Sequence, residues 1–146
     1  MRTALVGGVL ATLTLTTMAA TGALAGGNGA ARSGLSPTSG RTTNNCLPGS
    51  GAGTNGFAIV NAPGQPGNAR LVNGEVSLKN ADPNAVFMVS IADAGGTCLP
   101  QGPLATNGQG NGNYHLNDAT LSDGTFYVVL SDGSGERFAS APVTVN

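Results

Sequence analysis

Two cysteines, one histidine and seven carboxylates are the side chains of this 146-residue sequence best equipped for chemistry. Cys46 and Cys98 each lack a neighbouring histidine or second cysteine, the usual setting of a reactive or metal-binding thiol. His115 lies in the stretch Tyr114-His115-Leu116, where strand alternation points it away from the apolar side. A catalytic histidine needs a nucleophile and an orienting acid brought to it. Asp118 and Asp123 are near in sequence, but no Ser or Cys stands in a nucleophile setting. Glycosidase-type chemistry needs two carboxylates held together in a cleft with separated pKa values. The acids here are scattered over turn-forming stretches. The expectation is a protein that is not an enzyme, with no cofactor and no metal.

The segment Thr106-Asn107-Gly108-Gln109-Gly110-Asn111-Gly112-Asn113 has glycine punctuation like that of a calcium loop. Calcium sites draw on several carboxylates, and the ligand positions here are neutral amides. Asn and Gly also accept positive φ, so the segment is read as a long connection between strands.

The compartment follows from the N-terminus. Arg2 is the only charge before Arg32, and Ala4 to Ala20 is apolar or small. Ala23-Leu24-Ala25 then supplies a small-x-small cleavage pattern, so residues 1–25 read as a signal peptide. The run is too dilute in Leu and Val for a membrane anchor. A secreted chain with no membrane segment after cleavage is expected. Export places Cys46 and Cys98 where disulfides persist, and one bridge is the simplest use of the pair. In the chain-entropy model such a bridge contributes about 3–4 kcal/mol.

Without Arg2, five basic and seven acidic side chains remain, a formal charge of −2. That balance excludes the clustered Lys and Arg of a nucleic-acid footprint. Residues 26–54 are Gly, Ser, Thr, Asn and Ala with little to bury, and are expected to form a flexible arm. Cys46 lies in it.

Residues 55–146 are expected to form the domain. Short apolar runs separated by turn signals predict seven or eight strands and little helix. The strands are read at Phe57 to Asn61, Ala69 to Val72, Glu75 to Leu78, Val86 to Ile91, Leu104 to Thr106, Tyr114 to Leu116, Thr125 to Leu130 and Phe138 to Val145. Asn73-Gly74 is the strongest hairpin signal, since Asn-Gly suits a type I′ turn. Pro142 suggests an edge position for the last strand. Alternation predicts an inner face of Ile59, Leu71, Val76, Leu78, Phe87, Val89, Ile91, Leu116, Phe126, Val128, Leu130 and Val143. The fold class is all-β, a single antiparallel β-sandwich, with a barrel of similar strand number as the alternative. Cys46-Leu47-Pro48 and Thr54-Asn55-Gly56 recur as Cys98-Leu99-Pro100 and Thr106-Asn107-Gly108. Shared turn chemistry explains this echo better than a duplicated domain.

Three segments resemble known families. Leu78 to Val89, with Leu78 and Pro83 ahead of Phe87, is similar to the corner region of fibronectin type III domains, Phe87 standing where those carry Tyr. Thr106-Asn107-Gly108 ahead of Asp123-Gly124-Thr125-Phe126-Tyr127-Val128 resembles repeats of bacterial surface sandwiches. Val129-Leu130-Ser131-Asp132-Gly133-Ser134-Gly135, with Val143-Thr144-Val145-Asn146 at the end, is similar to the C-terminal part of neocarzinostatin-type apoproteins. Those are secreted immunoglobulin-like sandwiches that hold an apolar chromophore. They have two bridges inside the domain, where this chain has one cysteine pair and no Trp. The resemblances imply an immunoglobulin-like or fibronectin-like sandwich. The leading expectation is a secreted non-catalytic module with a binding or structural role outside the cell. Its partner is an extracellular protein, the cell wall or a small molecule, and its ligand-binding residues are unknown. The alternatives are a small-molecule carrier of the neocarzinostatin kind and a protease inhibitor presenting the Gly/Pro stretch near Cys98.

Overall fold

A computed structural model describes residues 30–38, 54–63, 67–117 and 119–145. The signal peptide, Cys46, Asp118 and most of the Gly/Ser/Asn-rich stretch lie outside the described residues, as does the centre of the Pro63–Gly67 turn. The described residues form eleven strands and no helix. In chain order they are β1 (Ala31–Pro37), β2 (Gly56–Asn61), β3 (Arg70–Leu71), β4 (Asn73–Leu78), β5 (Val86–Asp93) and β6 (Cys98–Ala105). β7 (Gly112–Leu116), β8 (Thr120–Leu121), β9 (Gly124–Asp132), β10 (Gly135–Ser140) and β11 (Val143–Val145) complete the set.

The fold is all-β and antiparallel. Neighbouring strands follow the order β6-β5-β9-β10-β1-β2-β4-β7, with β11 added beside β9 and β3 paired with β8 as a separate ribbon. β1 joins two halves: Ala31–Gly34 pair with β2, whereas Leu35–Pro37 pair with β10. A strand that changes partners midway turns a corner, which lets the halves enclose one core. The two end strands meet at the opposite side. A Cβ added at Gly102 of β6 would lie 2.7 Å from the Tyr114 hydroxyl of β7, and one at Gly112 would lie 2.5 Å from the Ala105 carbonyl oxygen. The sheet is therefore nearly closed.

One apolar cluster fills the interior, with Phe87, Leu35, Leu78, Ile91, Leu104, Leu116, Leu121 and Leu130 fully buried. Phe87 meets Phe138 edge to face, with ring centroids 5.6 Å apart, a favoured aromatic geometry. The alternation in β5 and β9 follows the sequence pattern: Phe87, Val89 and Ile91 point inward beside Phe126, Val128 and Leu130. Val76, Leu78, Leu116 and Val143 are also buried.

Four expectations need correction. Residues 26–54 are not an arm throughout: Ala31–Pro37 form β1, which buries Leu35 and Ser33 between the halves. Its single leucine, flanked by small residues, hid the alternation. Asn73-Gly74 is not a hairpin turn. Both residues lie in β4, paired with Asn61 and Val60 of β2, and β3 pairs with β8 instead. Ile59 and Leu71 do not line the interior, because each strand is offset by one residue from the expected register. Ala58, Val60 and Val72 point inward, and Leu71 is left exposed. Finally, Phe138 to Val145 is two strands, interrupted at Ala141-Pro142. There the Ser140 hydroxyl accepts from the Val128 N–H at 2.9 Å, and the Ser33 and Ser140 hydroxyls both donate to the Ala141 carbonyl. Side chains thus complete the hydrogen bonding that the break removes.

Candidate interaction surface

The two halves show different outer faces. Across β1, β2, β4 and β7 the register aligns Arg32, Ile59, Glu75 and His115 in one row. The row behind it pairs Gly34, Phe57, Ser77 and Asn113. The Arg32 guanidinium lies 4.2 Å from the centre of the Phe57 ring, a cation–π contact that holds both side chains on this face. Charge here is spread along the row and balanced, so the face is polar without being strongly of one sign.

The other outer face is apolar and small. On β5 the outward residues are Val86, Met88, Ser90 and Ala92, and their exposure falls along the strand. Val86 is 60% exposed and Met88 41%, whereas Ser90 is 5% and Ala92 0%. Val86 pairs with Ala105 and Met88 with Pro103 of β6, all four being exposed. Val86, Met88, Pro103 and Ala105 thus make an open apolar strip beside an edge strand. Pro100 and Pro103 remove two N–H donors from that edge, which opposes sheet-to-sheet pairing with another chain.

The chemical candidates are dispersed. His115 is exposed on β7, in register with Glu75 of β4. Asp123 accepts from the Gly67 N–H, and Asp82 and Asp132 share the guanidinium of Arg137 at 2.8 and 2.7 Å. Asp132 also accepts from the hydroxyl and the N–H of Ser134 in the β9–β10 turn. The Ser134 hydroxyl bond, followed by the Ser134 N–H and the Arg137 charge, holds the Asp132 carboxyl below its ordinary range. Asp93 is held low as well, first by the backbone N–H of Thr97 across the β5–β6 turn. These carboxylates fasten turns and loops. No group of three or more His, Cys, Asp or Glu side chains that could hold a metal occurs among the described residues.

The glycine-punctuated loop between β6 and β7 is a self-bonded turn. The Asn107 side-chain oxygen accepts from the N–H groups of Gln109 and Asn111, at 2.9 and 3.0 Å. The Ala81 N–H donates to the Gly110 carbonyl, and the Asn84 N–H to the Asn107 carbonyl. The Thr106 hydroxyl donates to the Asp82 carbonyl and accepts from the Ala85 N–H, so the loop is docked on residues 80–85. The oxygen that a cation would need from Asn107 is already engaged by backbone donors.

Cys98 opens β6, paired with Ala92; its expected partner Cys46 lies outside the described residues. Of the Gly/Pro stretch near Cys98, the part from Leu99 to Pro103 lies in β6 and Gly95-Gly96 lies in the turn before it. The one-sided alternation of β5 marks Phe87, Val89 and Ile91 as inward and leaves the strip at Val86 and Met88 without a sequence pattern of its own. The remaining signal is composition: apolar residues on both parities of β5 imply that part of the outward face is apolar too. The chain matches no protein-family model, no curated protein and no solved structure.

Proposed function

We propose that the mature chain is a secreted, non-catalytic β-module of the immunoglobulin-like or fibronectin-like kind that binds a partner outside the cell through the open strip on β5 and β6. The observation that carries this reading is Val86 and Met88 standing exposed beside Pro103 and Ala105, while the interior is filled by the chain's own side chains. Exposed apolar area on an otherwise well-packed domain is a common mark of an interaction site. The commitment of Asp82, Asp93 and Asp132 to turns and loops and the open position of His115 support a binding role over catalysis. The packed interior also favours a surface-binding module over a carrier of the neocarzinostatin kind, which needs a concave apolar cleft. The signal peptide over residues 1–25 and the Cys46–Cys98 bridge belong to the same reading. Support for the bridge is that no free cysteine occurs among the described residues.

The test is chemical cross-linking of the protein in its own culture, comparing the wild type with a Val86→Lys/Met88→Glu double variant. The expected result is a specific adduct that disappears in the variant while its Tm stays within about 2 °C of the wild type. Adducts that persist in the folded variant would refute the strip as the binding surface. Native mass spectrometry of the supernatant protein provides the second readout. A co-purifying small molecule would transfer the reading to the carrier.

A further inference from the structure

The outer face of β1, β2 and β4 carries apolar residues along its middle strand and opposite charges at equal distances on either side. Phe57 and Ile59 stand outward on β2, both half-buried. In the register row through Ile59, Arg32 lies one strand away on β1 and Glu75 one strand away on β4. At ordinary strand spacing each is about 5 Å from Ile59, on opposite sides. In the row through Phe57 the corresponding neighbours are Gly34 and Ser77, both small. Arg32 is exposed and Glu75 half-buried. No ion pair of Glu75 occurs among the described residues.

Such a face is its own complement. Two copies can meet about a two-fold axis lying between them, which makes the same patch serve on both sides. An axis parallel to β2 exchanges the two sides of that strand and keeps the level along it. It sets Ile59 against Ile59 and Phe57 against Phe57, and Arg32 of each copy against Glu75 of the other. An axis through the same row but across the strands would set Arg32 against Arg32 and Glu75 against Glu75. Facing like charges oppose association, so the charges select the first axis. Aligned sheets stack about 10 Å apart with strands within about 30° of each other, a gap that an extended Arg and Glu bridge together. That rotation displaces groups about 5 Å from the axis by only about 2–3 Å. Arg32 is also fixed in advance, since its guanidinium rests 4.2 Å from the centre of the Phe57 ring. A side chain already held has less freedom to lose on pairing.

We infer that a second copy of this chain docks on the outer face of β1, β2 and β4, with Arg32 of each copy on Glu75 of the other and Ile59 and Phe57 along the axis. His115 lies one strand beyond Glu75, at the margin of the contact. The outer face of a nearly closed sheet is convex, which confines the contact to these three strands. Three strands, each with three outward residues, cover about 300 Å² per copy, against about 800 Å² in a stable complex. The dimer is accordingly weak and forms at high local concentration. Its face is separate from the strip on β5 and β6, so Val86 and Met88 stay open, and the inference does not depend on what the strip binds. Under the binding role proposed above, a dimer presents two strips and holds a partner displayed in many copies through both.

Sedimentation velocity of the protein from culture supernatant, at about 10 µM to about 1 mM, spans the range of a weak dimer. The wild type is expected to move toward the dimer's sedimentation coefficient as concentration rises. Its association should weaken at least about threefold between about 50 mM and about 500 mM NaCl, because exposed charge pairs are screened. Arg32→Glu and Glu75→Arg are each expected to stay monomeric, since each sets like charges face to face. An equimolar mixture of the two should associate, because every facing pair is then of opposite sign. Association of the mixture supports the pairing. Either single variant associating like the wild type, or a mixture of folded variants that stays monomeric, overturns it. A wild type that is monomeric throughout, or whose association ignores salt, overturns it without any variant and leaves the face to a different partner.

Discussion

Asn73-Gly74 and the Asn107–Gly110 loop carry the same turn chemistry and reach opposite structures. At 73–74 the backbone is extended. The Asn61 amide donates to the Asn73 side-chain oxygen at 3.0 Å across the β2–β4 ladder. Gly74 is flanked by β2 on one side and β7 on the other. At 107–110 the Asn side chain instead accepts from its own loop, and Gly110 takes a φ of 74°. In both places the glycine is needed because a carbonyl approaches closely. A Cβ at Gly74 would lie 2.0 Å from the Ile59 oxygen, and one at Gly110 would lie 2.0 Å from the Ala81 oxygen. A glycine in an Asn/Gly-rich stretch reports that backbone must come near or turn. Which of the two happens depends on what lies across from it.

That contrast is most sharply tested at the two glycines. Gly74→Ala should have the largest effect, since the clash sits between two ladders and neither strand can yield alone. A loss of about 3 kcal/mol or more, read by urea denaturation, is expected. A near-neutral result would mean that β4 is free to shift from β2. Gly110→Ala should cost about 2–3 kcal/mol from the clash and the left-handed backbone. Its damage should stay local, with faster amide exchange at Ala81 and Asn84 and little change in the β5–β9 ladder. Global unfolding would contradict the view of this loop as a docked appendage.

Thr106→Val comes next, at about 1–2 kcal/mol, because it leaves the Ala85 N–H and the Asp82 carbonyl unpaired while keeping the side-chain shape. A Thr106→Ser variant should retain most of the stability. The smallest effect is acid sensitivity. The carboxyls of Asp93 and Asp132 have folded pKa values below their unfolded ones. Their contribution is therefore present above about pH 4 and is lost as pH falls through the lowered folded values. Tm should decline between about pH 4 and pH 2, and Asp132→Asn should flatten part of that decline. An unchanged slope in the variant would show that the Ser134 and Arg137 contacts are not kept in solution.

Much of the fold was legible where a strand has one clear partner on each face. β5 and β9 alternate over long stretches, so Phe87, Val89, Ile91, Phe126, Val128 and Leu130 were identifiable as inward residues. Short strands carried less information. In β2 the inward set is Ala58 and Val60, and the bulkier Ile59 and Phe57 face outward, where Arg32 covers Phe57. Size alone misled the parity. β1 was hidden for a related reason: a strand made of Ala, Arg, Ser, Gly, Leu and Pro has almost no hydrophobic pattern, and it is held by pairing with β2 along its first half and with β10 along its second. Among the candidate site residues, His115 stands outward as its place in Tyr114-His115-Leu116 implied. The open strip needed the register of β5 against β6 before it became a surface.

By itself the sequence determined the all-β class, the inward parity of the long strands and the turn character of the glycine-rich loop, because each depends on local periodicity or local backbone preference. It also bore the N-terminal and cysteine patterns from which export and a bridge are argued. Only the tertiary structure decided that Asn73-Gly74 is strand, that β1 belongs to both halves and that Val86 and Met88 lie together with Pro103 on an open face. Those outcomes depend on which distant strand arrives opposite a residue. Pairing partners are set by the packing of the whole core, and no local stretch of the chain encodes them alone.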